Sequence, residues 1–418
     1  MDRFVVRPGP PLSGTVRVSG AKNSALKLMA ACLLAGGRYR LDNVPRISDV
    51  DSMGRLLEAL GVGSAWAEAS SLSVEVPDQP EVVAPYELVE RMRASVVVLG
   101  PLVARYGRAK VAMPGGDDFG PRPVDIHLRG LEALGATVET AHGYIEAWAD
   151  RLAGTRLVLE FPSHTATDNL LMAATLAKGT TVIENAAREP EVSDLAAFLN
   201  RMGARIEGAG TSRIEVEGVD ELSPADHAVI PDRVEAATFL AAVGLAGGEV
   251  VVEGARYDHM DMLIAKLADM GLRISPTSGG LWVQAAGRPR AVDVATLPYP
   301  GVATDYKPLL VALLSVSEGV GIVSENVFPS GRFRYVDELR RMGADIRTEG
   351  HHAVVRGVER LSGAPVRAPD VRAGAALVLA GLVAEGQTEV ADAHHVDRGY
   401  ERLADKLACL GADVARCR

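Results

Sequence analysis

A short phrase recurs six times along this chain. LLEALG ends at Gly61, LEALG at Gly135, LNRMG at Gly203, LADMG at Gly271, LRRMG at Gly343 and LACLG at Gly411. The intervals are 74, 68, 68, 72 and 68 residues. In each copy, apolar residues at helical spacing run into a glycine. Most copies then alternate apolar and polar residues, as in ATVET, ARIEG and ADIRT. The pattern predicts a helix closed by a left-handed glycine and followed by a half-buried strand. A second phrase keeps step with the first. An Ala/Leu-rich helix ends at Gly36, Gly107, Gly179, Gly247, Gly319 and Gly386, usually before a strand-like segment such as TTVIENA or GEVVVEG. Two phrases in step predict six units of roughly 70 residues, longer than a solenoid repeat. Each reads as a small α/β subdomain with two helices and several strands.

Six units suggest two lobes of three. The most polar stretch near the middle, EGVDELSPADHAVIPDR at 217–233, is where a hinge is expected. The composition is ordinary for a globular chain, with 48% hydrophobic and 23% charged residues. A net charge of −10 argues against nucleic-acid partners but leaves room for local anion pockets. Cys32, Cys409 and Cys417 supply neither metal-ligand spacing nor a disulfide framework, which fits a cytoplasmic protein. The start, MDRFVVRPGPPLSG, has no signal-sequence pattern, and the apolar run at 373–384 is broken by glycine and too short to enter a membrane. The pairs His351–His352 and His394–His395 read as strand residues on opposite faces rather than metal ligands, so no metal is expected.

Counting fourteen residues back from each glycine of the second phrase gives Lys22, Arg93, Thr165, Arg233, Asp305 and Arg372. Each opens the Ala/Leu-rich helix of its unit. Helix N-termini attract anions, so a cation there is unfavourable for stability alone. Four of the six positions are nevertheless cations. For any one of them, pairing or capping by a nearby acid such as Asp232 or Asp370 is the simpler reading. For the set, an anion-binding site is the better account.

At this point a family resemblance becomes visible. SGAKNSAL (19–26), RMRAS (91–95), PGGDDFGPRPVDIH (114–127), ENAAREPEVSD (184–194), IPDR (230–233), ATD (303–305), DVRAGAALVLAG (370–381) and HVDRGY (395–400) resemble the UDP-N-acetylglucosamine enolpyruvyl transferases over essentially the whole chain. The resemblance implies a two-lobed inside-out α/β barrel of the enolpyruvyl transferase type, three repeats per lobe. Residues 22–230 would form the first lobe and carry the catalytic loop 114–123. Residues 1–21 plus 231–418 would form the second, with the site in the cleft between them. It also implies a reaction: enolpyruvyl passes from phosphoenolpyruvate to the 3-hydroxyl of UDP-N-acetylglucosamine, through a tetrahedral ketal, with loss of phosphate. No cofactor is implied, and the partners are these small molecules.

Residue by residue, the resemblance assigns Lys22, Arg122 and Arg398 to the phosphate of phosphoenolpyruvate, and Arg332 and Arg372 to its carboxylate. Asp305 would accept or orient the hydroxyl proton. Asn23 would touch the amino sugar. The segment Arg122, Pro123, Val124, Asp125 and His127 would receive the uracil end. Asp370 would help order the site by orienting Arg398. Arg93 and Arg233 would line the cleft, and Ser163 and Val327 would contact substrate. Taken alone, Arg398 could be a helix-start ion pair with Asp397 or Glu401, and Asp305 a helix cap. Glu189 and Glu191 read as turn and surface residues.

Four departures stand out. Asp117 occupies the place of the family's loop cysteine. Residues 163–166 read SHTA where SVGA is usual. Residues 304–308 read TDYKP where glutamine is usual in place of the lysine. Residues 328–332 read FPSGR, one residue longer, with Pro329 in place of an acid. The last three loosen the acceptor assignment. A transferase acting on another uridine nucleotide such as UMP, or a non-catalytic nucleotide-binding paralogue, are the alternatives. At the loop, an acid can replace a thiol as proton donor if it stays protonated, and a neighbouring carboxylate at Asp118 favours that form. Asp117→Asn is therefore expected to abolish turnover, as read by phosphate release. Fosfomycin, which alkylates the family's cysteine thiolate, is expected to leave the wild-type protein active and without an adduct on Asp117 by mass spectrometry.

Overall fold

The structure is a computed structural model that describes residues 2–90, 92–115, 124–328 and 332–417. Its contacts divide the chain into two compact units. The first comprises 20–115 and 124–230, and the second 2–19 and 231–417. Asp117, Asp118, Arg122 and Pro123, with most of the loop expected at 114–123, lie outside the described residues, as do Pro329–Gly331.

The described residues contain six four-stranded sheets, three per unit, all built on one pattern. An edge strand runs parallel to a second strand, the second is antiparallel to a third, and the third to a fourth. In the first sheet these are His227–Ala228, Gly37–Asp42, Leu72–Val76 and Gly63–Trp66. Alternation sets which face is inward: along Gly37–Asp42, Tyr39 and Leu41 are buried while Arg38 and Arg40 are exposed. The mixed α/β architecture expected from the repeats is what forms.

Two kinds of helix serve each sheet. The outer kind is amphipathic. In Ser48–Ala59, Val50, Met53, Leu56 and Leu57 face inward at helical spacing. These outer helices run into the six glycines of the first phrase, Gly61, Gly135, Gly203, Gly271, Gly343 and Gly411, and all six have positive φ, between 82° and 107°. An added Cβ would meet nothing within 4 Å at any of them. The backbone conformation, not crowding, selects glycine there.

The inner kind is apolar all round. Arg233–Ala246, Lys307–Val316 and Val371–Gly381 pack on one another in the second unit and are buried along nearly their whole length. Lys22–Ala31 and His164–Ala174 are the counterparts in the first unit, with Leu99–Tyr106 entered through the 3-10 turn Arg93–Val98. Each fully buried leucine contributes about 1.5–3 kcal/mol, so these helices anchor their units.

The second unit is closed by the beginning of the chain. Arg3–Arg7 inserts between Thr388–Ala391 and Asp413–Cys417, antiparallel to both, with Phe4 and Val6 buried. Leu12–Arg17 then runs parallel to Gly248–Glu253. The first unit closes on itself, because His227–Ala228 near its end pairs with the strand Gly37–Asp42 near its beginning.

Some local expectations shift. Gly107, Gly179, Gly247, Gly319 and Gly386 are left-handed, but Gly36 is not; Gly37 is. The helix there ends through an extra 3-10 turn, Cys32–Leu34, which moves the reversal one residue on. His351 lies in a turn, so its ring sits 3.9 Å from that of His352 rather than across a strand, and His394–His395 open a short helix, His394–Asp397. Glu191, expected at the surface, is buried in the first turn of Pro190–Arg201. No helix among the described residues is long and apolar enough to cross a membrane. Gly203→Ala is expected to lower stability by about 1–2 kcal/mol through backbone strain alone, measurable by chemical denaturation.

Candidate functional site

An inner helix buried on every side meets its surroundings only at its ends, and in the second unit those ends carry the charges. Asp305 lies on the turn Thr304–Tyr306 that leads into Lys307–Val316. Its two oxygens are divided between two arginines. Arg332 Nη1 donates to Oδ1 at 3.1 Å, and Arg372 Nε donates to Oδ2 at 3.1 Å. Arg332 and Arg372 are 6% and 1% exposed. The Asp305 side chain is 26% exposed, so the carboxylate is the open face of a buried cationic pair. Arg332 adopts φ of 47°, a left-handed conformation that costs a non-glycine residue energy and marks a position held by its surroundings.

Burial alone would raise the Asp305 carboxyl, but Arg372 and Arg332 outweigh it and hold it well below the usual carboxylate range. The resulting stabilisation is fully present above the unfolded carboxyl's pKa of about 4 and is lost only as pH falls toward the depressed folded value. In this arrangement Asp305 is a poor proton acceptor. Arg372 Nη1 is buried without a hydrogen-bond acceptor among the described residues. The Tyr400 hydroxyl is the neighbouring oxygen that bears on this guanidinium.

Asp370 caps Val371–Gly381, its Oδ1 accepting from Arg372 N at 2.8 Å and Ala373 N at 2.9 Å, and lies 3.9 Å from Arg332 Nη2. Asp232 caps Arg233–Ala246 in the same way. The capping reading of these acids is therefore correct, and it places both arginines beside the turn that carries Asp305. Arg233 Nη1 donates to Tyr306 Oη at 3.1 Å. Asp305 does not cap the following helix; its oxygens are taken by the arginines. Arg398 follows the short helix His394–Asp397 rather than opening one. Asp397 is bidentate with Arg416, at 3.0 and 2.6 Å, and Glu401 accepts from Ser19.

Beneath Asp305 lies a fully buried ion pair, Lys307 with Glu325 at 2.7 Å. Burial pushes the Lys307 amine down against the pull of Glu325. Glu325 also accepts from Thr296, Thr304, Val327 N and Phe328 N. It thereby ties the Asp305 turn to the segment that leads toward Arg332. Lysine replaces the expected glutamine here, yet the side chain points into the core.

In the first unit, Lys22 opens its helix and pairs with Asp49 at 2.6 Å, both largely buried. Asn23 follows in the first turn. Arg93 opens its 3-10 turn, and burial lowers its guanidinium to about 10. Val124 precedes Asp125–Ala133, where Asp125 is a half-exposed partner of Arg129 at 3.4 Å and His127 is buried. Burial, with Arg93 adding to it, pushes His127 down to about 3, so the ring is neutral. Ser163 caps His164–Ala174 through Ala166 N at 3.4 Å. His164 leans inward to Lys27 at 3.2 Å and Asp168 at 3.4 Å.

The comparisons with known proteins fit this arrangement. Residues 6–407 match the family described as EPSP synthase (3-phosphoshikimate 1-carboxyvinyltransferase). The chain belongs to the enolpyruvyl transferase family. It is 50% identical over 414 residues to UDP-N-acetylglucosamine 1-carboxyvinyltransferase 1 of Caldanaerobacter subterraneus, covering 99% of each chain. It is 52% identical to UDP-N-acetylglucosamine 1-carboxyvinyltransferase of an Anaeromyxobacter species, covering 100% of this chain and 99% of the relative. Among solved structures, the enolpyruvyl transferase NikO from Streptomyces tendae matches with a TM-score of 0.89 at 26% identity, covering 100% of this chain and 99% of that one. EPSP synthase from Acinetobacter baumannii matches with a TM-score of 0.75 at 17% identity and full coverage of both chains, which speaks to fold alone.

Sequence reasoning singled out Asp305, Arg332 and Arg372 but not their mutual pairing. It missed Asp49, Lys307 with Glu325, and Asn169, a partner of His127. Asp49 carried only the signal of an ordinary acid in a helix's first turn. Asp305→Asn is expected to destabilise the protein by about 2 kcal/mol, less than a fully buried broken pair because Asp305 is partly exposed. Pyruvate should then raise the melting temperature of the variant more than that of the wild type.

Proposed function

We propose that this enzyme transfers the enolpyruvyl group of phosphoenolpyruvate to the 3-hydroxyl of UDP-N-acetylglucosamine and releases phosphate, the opening step of peptidoglycan synthesis in the cytoplasm. The observation that carries this reading is the pair Arg332 and Arg372 closed over the partly exposed Asp305 carboxylate. Two planar guanidinium groups suit a carboxylate, which they can hold through paired hydrogen bonds. The relatives named for this activity, near 50% identity over the full chain, support the acceptor.

In this reading the carboxylate of phosphoenolpyruvate takes over the arginine contacts that Asp305 holds. Relieved of one or both cations, Asp305 becomes basic enough to accept the proton of the sugar hydroxyl. Lys22, Arg122 and Arg398 hold the phosphate. Asp117 delivers a proton to the methylene carbon, and the cationic centre at the neighbouring carbon bonds to the hydroxyl oxygen. Loss of the methyl proton and of phosphate from that ketal restores the double bond. Asn23 contacts the sugar. Asp125 and His127, with Pro123 and Val124, receive the uridine nucleotide, and Arg93, Ser163, Arg233 and Val327 contact substrate around it. Asp370 fixes Arg372 through the helix cap. Two of the sequence departures, His164 and Lys307, are engaged by Asp168 and by Glu325, so neither counts strongly against the acceptor.

The test is phosphate release from phosphoenolpyruvate with each of two acceptors. Release with UDP-N-acetylglucosamine and not with UMP is expected. Release with UMP alone would replace the acceptor, and release with neither would overturn the reading.

A further inference from the structure

His127 does not stand alone in its pocket. Asn169, fully buried on the helix His164–Ala174, reaches it at 3.0 Å from Nδ2 to His127 Nδ1. The orientation of a carboxamide is ordinarily assigned from its surroundings, and here they are decisive. On one side the backbone N–H of Gly100 donates to Asn169 Oδ1 at 2.7 Å. On the other, Asn169 Nδ2 lies 3.5 Å from the carbonyl of Val96. A backbone amide can only donate and a carbonyl can only accept, so Oδ1 faces Gly100 and the NH₂ faces Val96 and His127. The approach is tight. A Cβ on Gly100 would stand 2.3 Å from the Asn169 carbonyl oxygen and 2.5 Å from Oδ1, so glycine at 100 is a condition of this contact.

The consequence falls on the imidazole. Nδ1 must accept from Asn169, so it carries no proton, and the single ring proton sits on Nε2. Protonating Nδ1 would set two donors against each other. We infer that Asn169 is a positioning residue for nucleotide binding: it fixes His127 as the neutral Nε2–H tautomer, a permanent hydrogen-bond donor to an oxygen of the bound uridine nucleotide. Arg93, the charged group bearing on the ring, opposes a second ring proton. The other charged groups nearby are already engaged. Asp125 on the same helix pairs with Arg129, and Asp168 beside Asn169 pairs with Lys27. The inference rests on the nucleotide reading of His127 given above.

The test uses Asn169→Asp, which keeps the acceptor for Gly100 N–H but turns the face toward His127 from donor to acceptor. That carboxylate demands a proton on Nδ1. At high pH the ring then holds its one proton there and Nε2 ceases to donate. At low pH a second proton restores the donor. Calorimetric affinity for UDP-N-acetylglucosamine should be flat from pH 6 to 9 in the wild type. In the variant it should fall about tenfold at pH 9, the effect of one lost buried hydrogen bond, and recover toward pH 6. A merely structural defect would weaken binding equally at all pH values, and that result, or a flat profile, would overturn the inference. The ¹⁵N shifts of His127 in the unsubstituted protein give a second measurement. An Nε2–H tautomer supports the inference, and an Nδ1–H tautomer overturns it even if the variant does not fold. Failure of the wild type to bind the nucleotide would instead remove the functional reading beneath it.

Discussion

Helices with no polar face constrain everything else in this protein. Arg233–Ala246, Lys307–Val316 and Val371–Gly381 are enclosed by one another and by their sheets, so charge can enter only where each begins. Helix starts bring unpaired backbone N–H groups and partial positive charge, and two of these three are capped by aspartates. The caps orient the first turn, and the first turn sets where Arg233 and Arg372 lie. The repeated scaffold therefore places charged groups at equivalent positions, and the repeats differ in which charge stands there, Asp305 against Arg233 and Arg372.

That logic explains what could be seen in the chain beforehand. Helix-closing glycines report a backbone conformation that few other residues tolerate, so six of them in step disclosed the repeat, and counting back from its second set found the helix starts to within two residues. Pairings between distant segments leave no such mark. Lys22 with Asp49, Arg332 with Asp305, and Asn169 with His127 join residues on different elements, and each side chain alone is compatible with an ordinary cap or surface role. The slip at Gly36 has a local cause, an added 3-10 turn that the apolar run CLLA does not announce.

Burial also revises the weight of two of the sequence departures. A lysine in place of glutamine, or a histidine in place of valine, looks like a change of specificity when read along a line. Lys307 is fully enclosed and matched to Glu325, and His164 is drawn to Lys27 and Asp168. Substitutions of this kind change what supports a site before they change what it recognises. Glu325 shows how: its carboxylate spans the turn bearing Asp305 and the backbone of Val327 and Phe328.

The strand Arg3–Arg7 has a bearing on biosynthesis. Its partners, Thr388–Ala391 and Asp413–Cys417, are added long after it, whereas the strands and helices of the first unit all lie within residues 20–230. The first unit can thus mature while translation continues. Arg3–Arg7 must wait, its backbone groups unpaired and Phe4 and Val6 uncovered, until both of those strands have been made. Nascent chains in that interval are the ones exposed to aggregation and to shielding by chaperones.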